Sequence, residues 1–471
     1  MTRGMSMAAA GVMIVAAAMG VPASAAAPQP GLRPQAEAQA LDLAKKAIAL
    51  RSVTGQGNQT GQVAALFKQA LVDSGFPADA ITITPVDDTA YFIARWKGLD
   101  AKLKPLVISG HMDVVAANPK DWQRDPFTPL VENGYLFGRG ASDMKLDGAM
   151  AVTALAELKR QGFAPRRDIV LEFSGDEETA MKTSAILADQ LKNAELVLNI
   201  DGGGGMLDAD TGKPLYWVWT AAEKTYADFE LSVTNPGGHS SAPRAVNAIY
   251  QLSAALTKVG NYQFKPELNA ITRASLASAA RYEEPKTAAA MRAFVADPAD
   301  RTAIATLTAN PATVGRIGTT CVATMVDAGH AQNALPQRAT ANINCRIFPG
   351  HKPADIMAEL ARVIGDPAVK IRDVSEGSVA TDASPLRPDV SAAVERALHQ
   401  VYPGVPVFPG QASGASDSMW YRAKGIPSYS ISPIFMKDAD DFSHGLNERV
   451  PVFNIAPGVR YYMTLFSNLS Q

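Results

Sequence analysis

Six histidines serve 471 residues, and three of them stand in polar or glycine-rich segments: His111-Met-Asp113, Gly237-Gly-His239-Ser and Phe442-Ser-His444-Gly. Between them lie Gly138-Arg-Gly-Ala-Ser-Asp143-Met-Lys, Ser174-Gly-Asp-Glu177-Glu178-Thr and Asn199-Ile-Asp201-Gly-Gly, each with an acid just after an apolar run or in a glycine-rich turn. Imidazole and carboxylate without thiolate suit zinc, with cobalt or manganese as alternatives. His111, Asp143 and Asp201 can hold one divalent ion, and Glu178 and His444 a second, with Asp143 shared. Each ion then keeps an open position, as catalytic rather than structural sites do. Glu177 is surplus to coordination, so it can take the proton from an attacking water. Asp113, two positions after His111 on a strand, can point the same way and accept the second imidazole hydrogen. Asp176 reads as a cap or loop acid that alternation turns away from Glu177.

Such a set converges only if the chain collects it. Pro105-Leu-Val-Ile-Ser, Asp168-Ile-Val-Leu-Glu-Phe and Glu195-Leu-Val-Leu-Asn-Ile are continuous apolar runs of strand length, separated by helical stretches such as 149–161. They predict buried parallel strands. In such a sheet sites form beyond the carboxyl ends, where His111, Glu177, Glu178 and Asp201 fall.

From Lys224 the pattern becomes strand, helix, strand, strand, helix, strand: 228–234, 245–259, 319–326, 338–347, 354–364 and 369–375. This is the split order of a ferredoxin-like α+β sandwich. We therefore expect a catalytic domain of 26–222 and 381–471 with a lid or dimerisation domain, 223–380, inserted between. The Ala-rich stretch 264–318 exceeds a simple crossover and predicts extra helices on the lid.

A chain that is 47% hydrophobic with a net charge of -2 can bury a full core and has no basic bias toward nucleic acid. Small molecules are the expected partners. Arg3, the apolar run 5–20 and Ala23-Ser-Ala25 predict a signal peptide over 1–25, hence a periplasmic or secreted protein with no stable membrane span after its removal. Cys321 and Cys345 fall in two strand-like runs; a hairpin turning near Asn333 would oppose them. In an oxidising compartment they could form a disulfide, but facing strands often strain that geometry, so two buried free thiols are the favoured expectation.

From about residue 40 onward the motifs Ser-Gly-His111-Met-Asp113-Val-Val, Asp143-Met-Lys, Asp-Glu177-Glu178, Asp201, Asn235-Pro-Gly-Gly-His239-Ser-Ser, Asn333-Ala-Leu-Pro and His444-Gly-Leu-Asn-Glu resemble, in order, those of the dinuclear zinc metallopeptidases. That family includes aminoacylases, carboxypeptidase G, succinyl-diaminopimelate desuccinylase and the dipeptidases. The stretch Trp122-Gln-Arg-Asp-Pro-Phe127 and the long segment after Tyr262 look most like the carboxypeptidase S branch. The resemblance implies a zinc-peptidase-like α/β catalytic domain with a mainly parallel sheet flanked by helices, two divalent ions per chain, and a possible homodimer through the lid. It implies further that His239 stabilises the oxyanion of a tetrahedral intermediate, often in the partner's cleft, and that Arg346, Asn333 and Ser416 contact a substrate with a free carboxylate. Leu146-Asp147 departs from the family, which has smaller residues there. The expected activity is hydrolysis of the amide bond of a small peptide or N-acyl amino acid by an exported carboxypeptidase, dipeptidase or aminoacylase. The alternative, a non-catalytic metal-loaded binding protein for peptides or acyl amino acids, leaves Glu177 without a use.

Overall fold

The computed structural model describes residues 32–471, so the expected signal peptide at 1–25 lies outside the described residues. The three apolar runs form the strands Leu106–His111, Ile169–Ser174 and Leu196–Asn199, parallel to one another and buried at every position. Alternation divides them between two cores. Leu106, Ile108, Leu171 and Leu198 enter the larger core on one face, while Val107, Val170 and Val197 pack with Leu187 and Tyr421 on the other. A sheet covered on both faces needs apolar residues on both, which is why these strands read as unbroken runs. Ser428–Ser430 adds a fourth parallel strand, with Thr89–Trp96 and Pro214–Glu223 as antiparallel neighbours on either side.

The helix Leu146–Arg160 is buried from Leu146 to Leu158 because Ala36–Ala49, Thr60–Val72 and Ile455–Leu469 all pack on it. Gly458 permits one of these approaches: a Cβ there would come 2.6 Å from Met150 Sδ. Asp147 is buried in this helix, and its carboxylate accepts hydrogen bonds from Tyr462 Oη at 2.6 Å and Ser432 Oγ at 3.2 Å. The family departure at Leu146-Asp147 is thus accommodated by two hydroxyls rather than by loosened packing.

A second, antiparallel sheet has the strand order Thr320–Ala328, Arg338–Ile347, Thr225–Thr234, Lys370–Asp373. The helices Ala248–Asn261 and Pro353–Ile364 complete the split order, and Phe229, Leu231, Leu252, Ile343 and Leu360 form a separate core.

Two expectations are corrected. The stretch 264–318 forms Ala270–Ala279, Pro285–Ala296, Arg301–Thr308 and Pro311–Val314, but these helices do not extend the lid. Ala270–Ala279 packs on the catalytic strand Val407–Ala412, and the Tyr282 ring lies 4.6 Å from that of Tyr216. Amphipathic periodicity marks a buried face without naming the surface that buries it. The second correction is that Cys321 and Cys345 are not free thiols. Their strands pair in a register that sets them directly opposite, with a Cα–Cα distance of 4.1 Å, and they form a disulfide. Among the described residues no helix is long and apolar enough to cross a membrane.

Candidate metal centre

His111 ends the strand Leu106–His111, Glu177 and Glu178 follow Ile169–Ser174, and Asp201 follows Leu196–Asn199. Asp143 comes from the turn before Leu146–Arg160, and His444 from the loop before Arg449–Pro451. All six meet. Asp143 Oδ1 lies 3.0 Å from His111 Nε2, and its Oδ2 lies 3.1 Å from His444 Nε2. His444 Nε2 is also 3.0 Å from Glu178 Oε2. One carboxylate therefore faces two imidazoles with its two oxygens, as a shared ligand must. Ligand atoms of His111, Asp143 and Asp201 lie within 4.8 Å of one another, and the same holds for Asp143, Glu178 and His444 and for His111, Glu177 and Glu178.

The electrostatics fit a cation. Burial pushes the carboxyls of Glu177, Glu178 and Asp201 upward, and neighbouring carboxylates push them further. Asp143 is held down despite its burial, because His111 and His444 both hydrogen-bond to it. Bonds to Asp143 and Glu178 lift the His444 imidazolium to about 10. A cation placed among these acids would offset their mutual repulsion. The donor set, nitrogen and oxygen without sulfur, suits zinc, cobalt or manganese.

Asp113 stands beside His111 as expected and also supports the site in a second way. It lies beyond the strand end, with its carbonyl 3.0 Å and its carboxylate Oδ1 3.5 Å from His111 Nδ1. The carboxylate also accepts the backbone N–H groups of Glu177 at 3.1 Å and Glu178 at 3.0 Å. Asp113 thereby fixes the imidazole and both glutamates together. Asp176 is the expected cap, accepting from the backbone N–H groups of Lys182 and Thr183.

Several residues went unrecognised in the sequence. Glu448 is buried, pairs with Arg139 at 2.6 Å, and accepts from the backbone N–H groups of Gly140, Ser142 and Asp143. Arg139 in turn donates to the carbonyls of His444 and Gly445. This pair locks the Asp143 turn to the His444 loop, and its only sequence signal was membership of the two motifs. Asp417, buried behind the centre, accepts from Ser174 Oγ at 2.6 Å; burial lifts its carboxyl to about 6.

The residues expected to bind substrate are dispersed. His239 and Asn333 are exposed but meet: Gly238–His239 pairs with Ala334–Leu335, and Ser240 N–H donates to the Asn333 carbonyl. Among the described residues the His239 ring hydrogen-bonds only to Ser241, not to the acidic cluster. Arg346 lies over the Tyr226 ring at 4.8 Å. Ser416 is buried and its hydroxyl is engaged, donating to Glu223 at 2.6 Å and accepting from Asn199.

A cavity of about 430 Å³ opens beside the cluster, lined by Asp143, Asp147, Asp201, the glycine run from 202 to 205 and Met206. With this geometry in hand, comparison with known proteins is decisive: residues 107–468 match the model of peptidase family M20/M25/M40. The chain belongs to that family. Among its relatives, the probable carboxypeptidase S-like 2 of Dictyostelium discoideum is 29% identical over 387 residues, covering 80% of this chain and 74% of that protein. The N-fatty-acyl-amino acid synthase/hydrolase PM20D1 of Xenopus tropicalis is 28% identical over 389 residues, covering 79% and 74%. An M20 family metallo-carboxypeptidase from Sulfolobus solfataricus, Sso-CP2, shares the fold with a TM-score of 0.69 at 19% identity, over 91% of this chain and 98% of that one. The carboxypeptidase S character expected from 122–127 is borne out, and this M20 member is a hydrolase of the peptidase and amidohydrolase type. The non-catalytic alternative is set aside by that membership.

Proposed function

We propose that this M20 hydrolase is exported and cleaves the amide bond of a small peptide or N-acyl amino acid at a centre for two divalent ions. His111, Asp143 and Asp201 would hold one and Asp143, Glu178 and His444 the other; bound there, the ions supply Lewis acidity to the amide carbonyl and acidify a water. Glu177 takes the proton from that water and returns it to the leaving nitrogen. The observation that carries this reading is Asp143 facing two imidazoles with its two oxygens while Glu177 accepts no hydrogen bond from either.

Other features support the finer points. A disulfide in the lid fits an oxidising compartment, and so export. A homodimer through the lid is supported by the edge strand Thr320–Ala328, where Val322, Met325 and Val326 are 60%, 72% and 66% exposed. His239, unengaged with its own chain's cluster, would then serve the partner's oxyanion. A panel of dipeptides and N-acyl amino acids, assayed with zinc-reconstituted protein, tests the activity: at least one class should be hydrolysed, with release of a free amino acid. Hydrolysis of none would refute the proposal.

A further inference from the structure

The strand Pro214–Glu223 serves two sides of the catalytic sheet. Trp217, Trp219 and Ala221 enter the larger core, so alternation turns Tyr216, Val218 and Thr220 the other way. The parallel neighbour Val407–Ala412 pairs Phe408 with Val218 and Gly410 with Thr220, which adds both to that second face. Together they floor a cavity of about 640 Å³. Tyr216, Val218 and Thr220, with Met206 and Asp438, also line the cavity of about 430 Å³ beside the metal centre, so the two spaces adjoin.

The opposite wall comes from the helical segment that stands outside the lid. Ser275 and Ala279, one turn apart on Ala270–Ala279, line the cavity with Tyr282, Ala312 and Arg316. The segment holds this shape by itself: Leu276, Phe294, Leu307 and Ile317 form a core of their own, and Glu283 pairs with Arg316 at 3.0 Å where both line the cavity. The volume falls within the roughly 300–1,000 Å³ of pockets that enclose drug-sized ligands, far more than an acetyl group fills. Three rings make up much of the apolar lining, with Tyr216 at 4.6 Å from Tyr282 of the segment and 5.3 Å from Phe408 of the sheet. Glu283, Arg316, Gln411 and Asp438 make other parts of it polar. A flat ring packs against such rings edge-on or offset. A flexible alkyl chain would lose more rotamer freedom and lay part of its length against the charged groups.

We infer that this chamber seats an aromatic group carried beside the scissile amide, and that the helical segment 270–316 makes the enzyme select for it. The inference rests on the proposed peptide or N-acyl amino acid substrate and adds a size and a shape to it. Among the described residues the chamber lining includes neither Glu177 nor any of the five metal ligands, so the wall selects what enters without taking part in the chemistry. The ring can belong to the acyl group or to the side chain of the leaving amino acid, since both flank the reacting carbonyl.

Calorimetry on zinc-reconstituted protein in a Glu177→Gln background tests the chamber, with N-acetylglycine as reference against N-(2-naphthoyl)glycine, N-acetyl-L-tryptophan and N-lauroylglycine. One of the two aromatic ligands should bind at least about tenfold more tightly than the reference, the scale of a buried ring with aromatic neighbours, and which one does so tells the acyl side from the leaving side. Ser275→Trp and Ala312→Trp, at positions that line the chamber outside the segment's core, should each fill it and remove that gain while leaving the reference unchanged. Ala277→Trp, exposed on the same helix and outside the lining, should keep the gain. No gain from either ring, a gain that survives both chamber-filling substitutions, or lauroyl binding as tight as the better aromatic ligand would overturn the inference. Turnover is read separately: no hydrolysis of any of these by the Glu177 enzyme, alongside a gain lost in Ser275→Trp, would refute the proposed reaction and uphold the chamber.

Discussion

Replacing Asp113 by Asn probes how the centre is held together. The Asp113 carboxylate is 1% exposed, accepts from the backbone N–H groups of Glu177 and Glu178, and lies 3.5 Å from His111 Nδ1. An amide keeps one acceptor oxygen and turns the other into an NH2 donor, which then faces an N–H. One bond is lost and the survivor loses its charge. At about 1.5–3 kcal/mol for a hydrogen bond to a charged group, and about 1.4 kcal/mol per decade of affinity, metal binding should weaken by roughly ten- to a hundredfold. Competition for zinc against a chromophoric chelator measures this directly. Because Glu177 hangs on the same carboxylate, turnover should stay depressed even at saturating zinc. The control is Asp176→Asn, an acid of the same loop that only caps the helix Lys182–Gln190 and should leave metal affinity unchanged. Wild-type affinity and turnover in Asp113→Asn, or an equal loss in Asp176→Asn, would refute the reasoning.

Glu177→Gln should lower turnover at least about a hundredfold with metal content unchanged by elemental analysis; loss of metal would make Glu177 a ligand. His239→Ala should cost about 2–4 kcal/mol of transition-state stabilisation, the scale of one oxyanion donor, and mixing it with Glu177→Gln chains should restore activity if the histidine serves the partner's site. No recovery after demonstrated subunit exchange would place its action within one chain. Burial lifts the Asp147 carboxyl to about 7, above the value near 3.9 in an unfolded chain. Its ionised form therefore penalises folding, with no penalty below about pH 4 and the full penalty above about pH 7. Asp147→Asn should stabilise the chelated protein more at pH 8 than at pH 4 in urea titrations, and an equal effect at both would contradict the burial argument.

The catalytic sheet was legible because strands covered on both faces leave an unbroken apolar signature, as Val107 and Ile108 do by serving opposite cores. His111, Glu178 and Asp201 were legible because they sit where those strands stop, and Asp143 and His444 because they stand in short motifs rich in glycine and polar residues. What escaped depends on pairings between distant residues. Glu448 meets Arg139 across a sequence separation of 309, and neither residue type announces the other. The disulfide was misjudged for a different reason: the hairpin that opposes the two cysteines was foreseen, but the strain of facing strands weighed against a bond that the actual register accommodates.

The most direct test is anomalous diffraction from zinc-loaded crystals, read with the zinc content of Asp143→Ala. Two peaks per chain are expected, roughly 3.5 to 4 Å apart as in two-metal sites. Both should touch Asp143, one also touching His111 and Asp201 and the other Glu178 and His444, with Glu177 bound to neither and both ions lost from Asp143→Ala. A single peak in fully active protein, with Glu178 and His444 away from it, would contradict the shared-ligand centre.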